Sequence, residues 1–370
     1  MGYIHERNYG CRVSADYTYR GLKTIIMENE KLHITILADK GTDIIEFLYK
    51  PLDVDFLWRS PLGVRNPGLN VPTIGTHIGS FLDYYEGGWQ ECLPNGGWAA
   101  KYKGAELGLH GEVCNIPWQF SIIEDNPERV EVKFRVRTYR TPFYLEKFLS
   151  MESNKPILHI KEKLLNEGEE GMDLMWGYHP AFGPPFLSEH CRVDVPAKKV
   201  EVCSEGAPTS RLKPGDKFAW PNCKGKDGKT VDLSRIPPAS IKAADMVYLL
   251  ELEEGWYAIT NTKKKVGFGL HWPKEVFPYL WYWQDYQGEF GYPLYGRTYI
   301  VALEPFTSYP RFGLEEAIKR GTQMKMASGE SVEVYLKAVA YEGIEGVERI
   351  TENGEIKERD ICRVDMRKIK

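Results

Sequence analysis

A chain of 370 residues with 48 basic and 52 acidic side chains has a net charge of −4, which removes the electrostatic reason to expect nucleic acid or an anionic membrane surface as a partner. Its seven cysteines, an odd count without C-x-x-C spacing, argue against a disulfide framework and a zinc ribbon; reduced thiols in a cytoplasmic protein are the simpler expectation. Met1 to Arg12 lacks the apolar run of a signal peptide, and no segment approaches the roughly 20 apolar residues of a membrane span.

Period-two alternation dominates the chain. In Val130-Glu131-Val132-Lys133-Phe134-Arg135-Val136-Arg137, apolar and charged residues separate onto opposite faces, as in a strand with one wet side. Leu158-His159-Ile160-Lys161 is a shorter copy. Trp256 to Thr262 and Val266 to Trp272 read as two strands around the turn Lys263-Lys264-Lys265. Tyr299-Ile300-Val301-Ala302-Leu303 is an apolar run closed by Glu304. One short helix is expected at Gly313 to Gly321, and Val332 to Lys337 returns to alternation. No repeated βα alternation appears, so the chain reads as all-β with few short helices. Residues 1–370 are expected to form a single domain. Pro214 to Pro238 would be a polar surface excursion, and 345–370 a charged C-terminal extension, either a hairpin or a tail.

Several catalytic and cofactor motifs fail. Gly225-Lys226-Asp227-Gly228-Lys229-Thr230 ends like a phosphate loop, but Cys223 stands where its first glycine is required. There is no G-x-G-x-x-G opening a helix, no H-E-x-x-H and no G-x-S-x-G. Neither a metal nor a cofactor is therefore expected. Three segments survive. Gly177-Tyr178-His179-Pro180 and Leu303-Glu304-Pro305 each set an ionisable residue before a proline, which biases it to extended backbone at a stiff position. Gly108-Leu109-His110-Gly111 sets a histidine against a glycine that tolerates close approach. A carboxylate such as Glu304 at the end of a buried strand would be partly desolvated and a stronger base near neutrality. Taken singly, each of the three is as well read as an ordinary structural residue.

Taken together and in order, they resemble the galactose mutarotase-like superfamily, its aldose 1-epimerases in particular. The shared segments are His110-Gly111-Glu112-Val113-Cys114-Asn115-Ile116-Pro117-Trp118, Gly177-Tyr178-His179-Pro180-Ala181-Phe182 and Val301-Ala302-Leu303-Glu304-Pro305. Upstream, Gly87-Gly88-Trp89-Gln90-Glu91-Cys92-Leu93-Pro94-Asn95-Gly96-Gly97 is similar to a segment of the hexose-6-phosphate branch. Asp39-Lys40-Gly41-Thr42-Asp43-Ile44 is similar to an uncharacterised epimerase-like branch.

The resemblance implies a large antiparallel β-sandwich and mutarotation of a monosaccharide without metal or cofactor. Glu304 would be the general base on the anomeric hydroxyl and His179 the general acid on the ring oxygen. His110 would hydrogen-bond the ring oxygen or a neighbouring hydroxyl. Asp245, Glu86 and Asn95 would complete the substrate-binding set, while Trp118 would pack. Two departures stand out. Tyr178 replaces the family's usual asparagine before the histidine. No arginine lies between Arg65 and Arg129, and Glu86 stands where the phosphate branch has arginine; a carboxylate there would repel phosphate, giving the expectation of a neutral sugar. A non-catalytic carbohydrate-binding protein, or an epimerase acting at another sugar carbon, would fit the same residues. Oligomeric state is left open by the sequence.

Overall fold

The computed structural model describes residues 7–69 and 79–359; the charged C-terminal stretch from residue 360 onward lies outside the described residues. Two antiparallel sheets carry the architecture, with thirteen strands in one and eight in the other among those residues. The strands of the larger sheet that build the site and its support are β1 (Leu22–Glu28), β2 (Leu32–Leu37), β3 (Asp43–Tyr49), β4 (Trp89–Cys92), β5 (Gly177–Phe182), β6 (Ala243–Leu250), β7 (Tyr279–Tyr286) and β8 (Tyr299–Phe306). They lie side by side in the order β1-β2-β3-β4-β5-β8-β7-β6. The smaller sheet includes the predicted strands at Arg129–Arg137, Ile157–Asn166, Trp256–Asn261, Val266–His271 and Ser331–Glu342.

The two sheets differ in how many faces they bury, and the sequence records it. Arg129–Arg137 belongs to the smaller sheet: Val130, Val132, Phe134 and Val136 enter the core between the sheets, and the charged residues between them face outward. The larger sheet is covered on both faces, so its central strands read as unbroken apolar runs. On β8, Val301 and Leu303 join the inter-sheet core, whereas Ile300, Ala302 and Phe306 pack on the opposite face. Tyr178 and Tyr282 point inward, and His179, Trp281 and Trp283 point outward. The face of the larger sheet turned away from its partner is therefore where the polar chemistry collects.

Charge is also buried between the sheets, directly behind β4 and β5. Lys147, which points inward from the strand Phe143–Glu152, meets Glu91 of β4 at 2.5 Å, Glu162 of the smaller sheet at 3.6 Å and Thr42 at 2.9 Å. Tyr178 donates to Glu162 at 2.8 Å and Trp176 donates to Glu91 at 2.8 Å. Tyr178, the residue that departs from the family pattern, thus closes a polar bridge between sheets. Beside it, Lys40 pairs with Asp43 at 2.5 Å and Glu86 at 2.9 Å.

The short helix is found at Leu314–Arg320, with Gly321 left-handed at its end. Pro214 to Pro238 holds a short hairpin of three-residue strands, Asn222–Lys224 against Thr230–Asp232, and the phosphate-loop lookalike is the turn between them. Val347–Ile350 and Ile356–Glu358 pair as a hairpin, and Val347 and Ile350 are buried with Trp256, Ala258 and Tyr341. Six cysteines fall among the described residues, all buried and unpaired. No helix there is long and apolar enough to cross a membrane.

Removing one partner of a buried ion pair leaves the other charges uncompensated, at a cost of about 3–5 kcal/mol. Lys147→Met is expected to lower stability on that scale, measured as a fall in the urea unfolding midpoint. A midpoint equal to wild type would show that the bridge contributes nothing.

Candidate active site

Register brings the two residue–proline steps together. β5 and β8 are antiparallel, with Gly177 opposite Phe306 and Ala181 opposite Ala302. The same register sets His179 opposite Glu304, and residues facing each other across a pair project from the same side of the sheet. Their side chains approach to 3.7 Å, Nε2 to Oε1. Pro180 and Pro305 have no N–H to give to the ladder, which is why proline is rare in central strands. Here the β5–β8 ladder is interrupted between Gly177 and Ala181. Gly177 must be glycine, because a Cβ there would come within 2.3 Å of the Phe306 ring. That ring in turn stacks on Trp281 at 3.9 Å, the residue opposite Glu304 on β7.

His110 arrives from a loop. Its backbone is left-handed, with φ of 58°, uncommon for a residue with a side chain and costly enough to need support. Gly111 supplies part of that support: it packs so closely on the Leu93 carbonyl that a Cβ would lie 2.2 Å from the oxygen. The His110 ring lies 5.1 Å from that of His179, centroid to centroid. The Gly97 N–H donates to His110 Nδ1 at 3.3 Å. With Nδ1 accepting, neutral His110 carries its proton on Nε2 and is a donor there.

These three side chains line one cavity of about 480 Å³. Burial is nearly complete, with Glu304 2% and His179 4% exposed. Desolvation pushes the Glu304 carboxyl well above the usual carboxylate range, opposed by the positive charge of Arg311. Desolvation also pulls His179 down to about 4. His110 is held well below the usual imidazole range by burial first, then by His179 and Arg311. Burial thus favours the neutral form of both groups, a protonated Glu304 and an unprotonated His179. Glu304 Oε2 is buried with no hydrogen-bond partner among the described residues, an uncommon condition for a buried oxygen. Tyr85 Oη sits 3.4 Å from His179 Nδ1, and the Tyr85 and Trp283 rings flank the imidazole.

The other three expected binding residues lie elsewhere. Asp245 is on β6 with its side chain on the inner face, accepting from Ser210 at 2.8 Å, from the Arg211 backbone at 2.9 Å and from Arg211 Nε at 2.6 Å. Its neighbour Met246 faces the cavity instead, since one step along a strand changes face. Glu86 turns to Lys40 while the preceding Tyr85 lines the cavity. Asn95 donates to the carbonyls of Trp98 and Gly108 and accepts from Leu314 N–H. It ties the His110 loop to the start of the helix rather than meeting a ligand. Trp118 packs in the core, as expected.

The sequence reading also missed residues. Arg311 lines the cavity seven positions beyond Glu304, far in sequence from the stretch before His110 where the resemblance places an arginine. Trp281 and Trp283 were legible from their spacing, which places both on one face of β7.

A two-sheet β-sandwich with this strand order and an outward-facing carboxyl–imidazole cavity has the galactose mutarotase-like fold. The chain is similar to a candidate aldose 1-epimerase from Klebsiella pneumoniae subsp. pneumoniae, at 17% identity and a TM-score of 0.69, over 89% of this chain and 83% of that one. It is also similar to a galactose mutarotase-like protein from Clostridium acetobutylicum, at 19% identity and a TM-score of 0.60, over 90% of this chain and 99% of that one. A galactose mutarotase related enzyme from Lactobacillus acidophilus matches at 17% identity and a TM-score of 0.56, over 86% and 97%. Likeness at these identities establishes the fold. The chain belongs to the DUF4432 family, described as a domain of unknown function, which matches residues 19–339. Among curated protein sequences, none matches it significantly.

The raised carboxyl of Glu304 makes a signed prediction. Its folded-state pKa lies above the unfolded one, so any stabilisation it contributes is complete at acid pH and is lost as pH rises. Glu304→Gln removes that penalty. The stability of the variant relative to wild type should rise with pH, the margin being larger near pH 8 than near pH 5. Urea unfolding at both pH values checks it; a margin that shrinks as pH rises would contradict a buried, raised carboxyl.

Proposed function

We propose that this protein is a mutarotase-type isomerase that interconverts the anomers of an aldose. The observation that carries the reading is the Glu304–His179 pair: two buried, oppositely titrating groups 3.7 Å apart, one with an unpartnered oxygen, in a cavity of small-molecule size. Pairs whose environments push their pKa values apart are suited to divided acid and base work.

Anomer exchange needs one proton removed from the anomeric hydroxyl and one delivered to the ring oxygen. Glu304 takes the first and His179 gives the second. The C1–O5 bond breaks, the aldehyde rotates, and reclosure reverses both transfers. His110 Nε2–H hydrogen-bonds the ring oxygen or the hydroxyl beside it. Ring opening with these roles starts from ionised Glu304 and protonated His179. Burial opposes these ionised forms, and two influences favour them: the charge of Arg311 and a sugar hydroxyl donating to the carboxylate. Neither step calls for an atom beyond those of sugar and pair. The expectation of a neutral sugar rested on the missing arginine and on Glu86; Arg311 lines the cavity and the Glu86 carboxylate is directed at Lys40, so neither ground bears on the ligand.

Because the pair works only with one proton, kcat/KM should follow a bell-shaped pH profile with two apparent values belonging to the pair. The acid limb falls near the His179 value of about 4, below which both groups are protonated. The alkaline limb lies above the usual carboxylate range, where both are bare. A profile rising through pH 6–7 on an ordinary imidazole would contradict this assignment.

Glu304→Gln is expected to cut anomer exchange by about 10²–10⁴-fold while sugar binding, measured by calorimetry, persists. Unchanged exchange would remove Glu304 as the base. No deuterium should pass from solvent into sugar C–H positions during turnover; incorporation would redirect the reading to epimerisation at another carbon. A wild-type protein that binds sugar but leaves exchange at its buffer rate would make it a binding protein.

A further inference from the structure

Arg311 has more hydrogen-bonding capacity than the fold uses. It lines the cavity with Glu304, His179 and His110. Its guanidinium has five N–H groups; Nη2 donates to the Glu205 carbonyl at 3.2 Å and the side chain also hydrogen-bonds Cys203, neither of them a carboxylate. Nε is buried and has no hydrogen-bond partner among the described residues. No carboxylate lies within ion-pair distance of it there, while most other arginines of the described chain have one. The backbone holds the residue firmly, since Arg311 N–H donates to Tyr248 Oη at 3.1 Å and its carbonyl accepts from Trp98 N–H at 2.7 Å. The guanidinium carbon stands 5.9 Å from the centre of the Trp98 ring. Gly97 allows the Arg311 carbonyl to approach: a Cβ on it would lie 1.9 Å from that oxygen.

A cation is costly to place in a cavity without a partner. Among the described residues lining this one, Arg311 is the sole lysine or arginine, and residues 70–78 contain neither. Its partner is best supplied by the ligand. The charge balance then selects the kind of anion. Glu205 and Glu289 also line the cavity, so the walls do not favour a dianion. One guanidinium matches one carboxylate, two parallel N–H···O bonds to two oxygens. Building on the mutarotase reading, we propose that the substrate is an acidic aldose carrying a single carboxylate, of the uronic-acid class, and that Arg311 binds that carboxylate. The carboxylate of such a sugar is attached next to the ring oxygen. That is the end of the ring His179 and His110 serve, and Arg311 is close enough to both His110 and Glu304 to act on their charge.

The test compares glucuronate and galacturonate with glucose, galactose and glucose 6-phosphate. Anomer exchange is read by magnetisation transfer and binding by calorimetry, on full-length wild type, Arg311→Gln and Arg311→Lys. Wild type is expected to exchange one uronate with a kcat/KM about 10- to 100-fold above the matching hexose. Arg311→Gln should bring that ratio close to one, mainly through KM, and Arg311→Lys should restore part of it. Equal or faster exchange of the hexose, or a ratio that survives Arg311→Gln in a folded variant, overturns the proposal. Fastest exchange of glucose 6-phosphate also overturns it, in favour of a phosphate ligand. If no sugar is exchanged, binding separates the two claims. Uronate binding that is lost in Arg311→Gln upholds the anion site and sinks the mutarotase reading; uronate binding indifferent to Arg311, or none, sinks the anion site.

Discussion

The alignment of His179 with Glu304 across β5 and β8 is the constraint on which the rest of the site depends. One residue of slip would send either side chain into the inter-sheet core, where Tyr178 and Leu303 now sit. Two devices hold that register. From behind, Tyr178 reaches through the core to Glu162, and Lys147 links Glu162 to Glu91 on β4, the strand bonded to β5 on its other side. From the front, Phe306 lies on Gly177 and stacks on Trp281, clamping the end of β8 between its neighbours. The unusual tyrosine before His179 is thus part of the support for the site and not a defect in it.

The same arrangement carries local costs that a purely structural sheet would avoid. Two prolines interrupt a central ladder, His110 sits in left-handed backbone, and a carboxyl oxygen is buried without a partner. Rules of this kind are broken where function requires it, and the stability is recovered elsewhere. Here the recovery is visible in two sheets packed over an extensive core and in the fully buried tryptophans and tyrosines that line β5 and β7. Desolvation is the thread joining cost to use. Burial that strains the ionised forms of Glu304 and His179 also sets their pKa values apart.

How much of this was legible in the sequence depended on whether the signal was local. The half-exposed strands were readable, because Val130 to Arg137 keeps one wet face and so alternates cleanly. The doubly covered strands showed only as apolar runs, which say nothing about which residue faces which side. Asp245 and Glu86 came from the resemblance alone: strand parity turns Asp245 inward beside the cavity residue Met246, and Glu86, in the loop after Tyr85, pairs with Lys40. His179, Glu304 and His110 were found through their proline and glycine neighbours, whose backbone consequences are local. Their convergence was not local, since it arises from pairing strands more than a hundred residues apart in sequence. Arg311 was missed for the same reason: nothing in its neighbours marks it, and only the fold brings it beside His110. Nothing local in the sequence marks Lys40, Lys147 and their carboxylates as partners, although the structure buries them together.

The central claim is that Glu304 and His179 act as one proton-holding unit, and that is a statement about coupling between two residues. The most direct measurement is a double-variant cycle on anomer exchange: wild type, Glu304→Gln, His179→Asn and both together, with each protein shown to be folded. Groups that act as a unit lose their combined effect at the first deletion. The account predicts that the double variant is about as slow as the slower single variant. Rate losses that multiply would show two residues working independently and would contradict it.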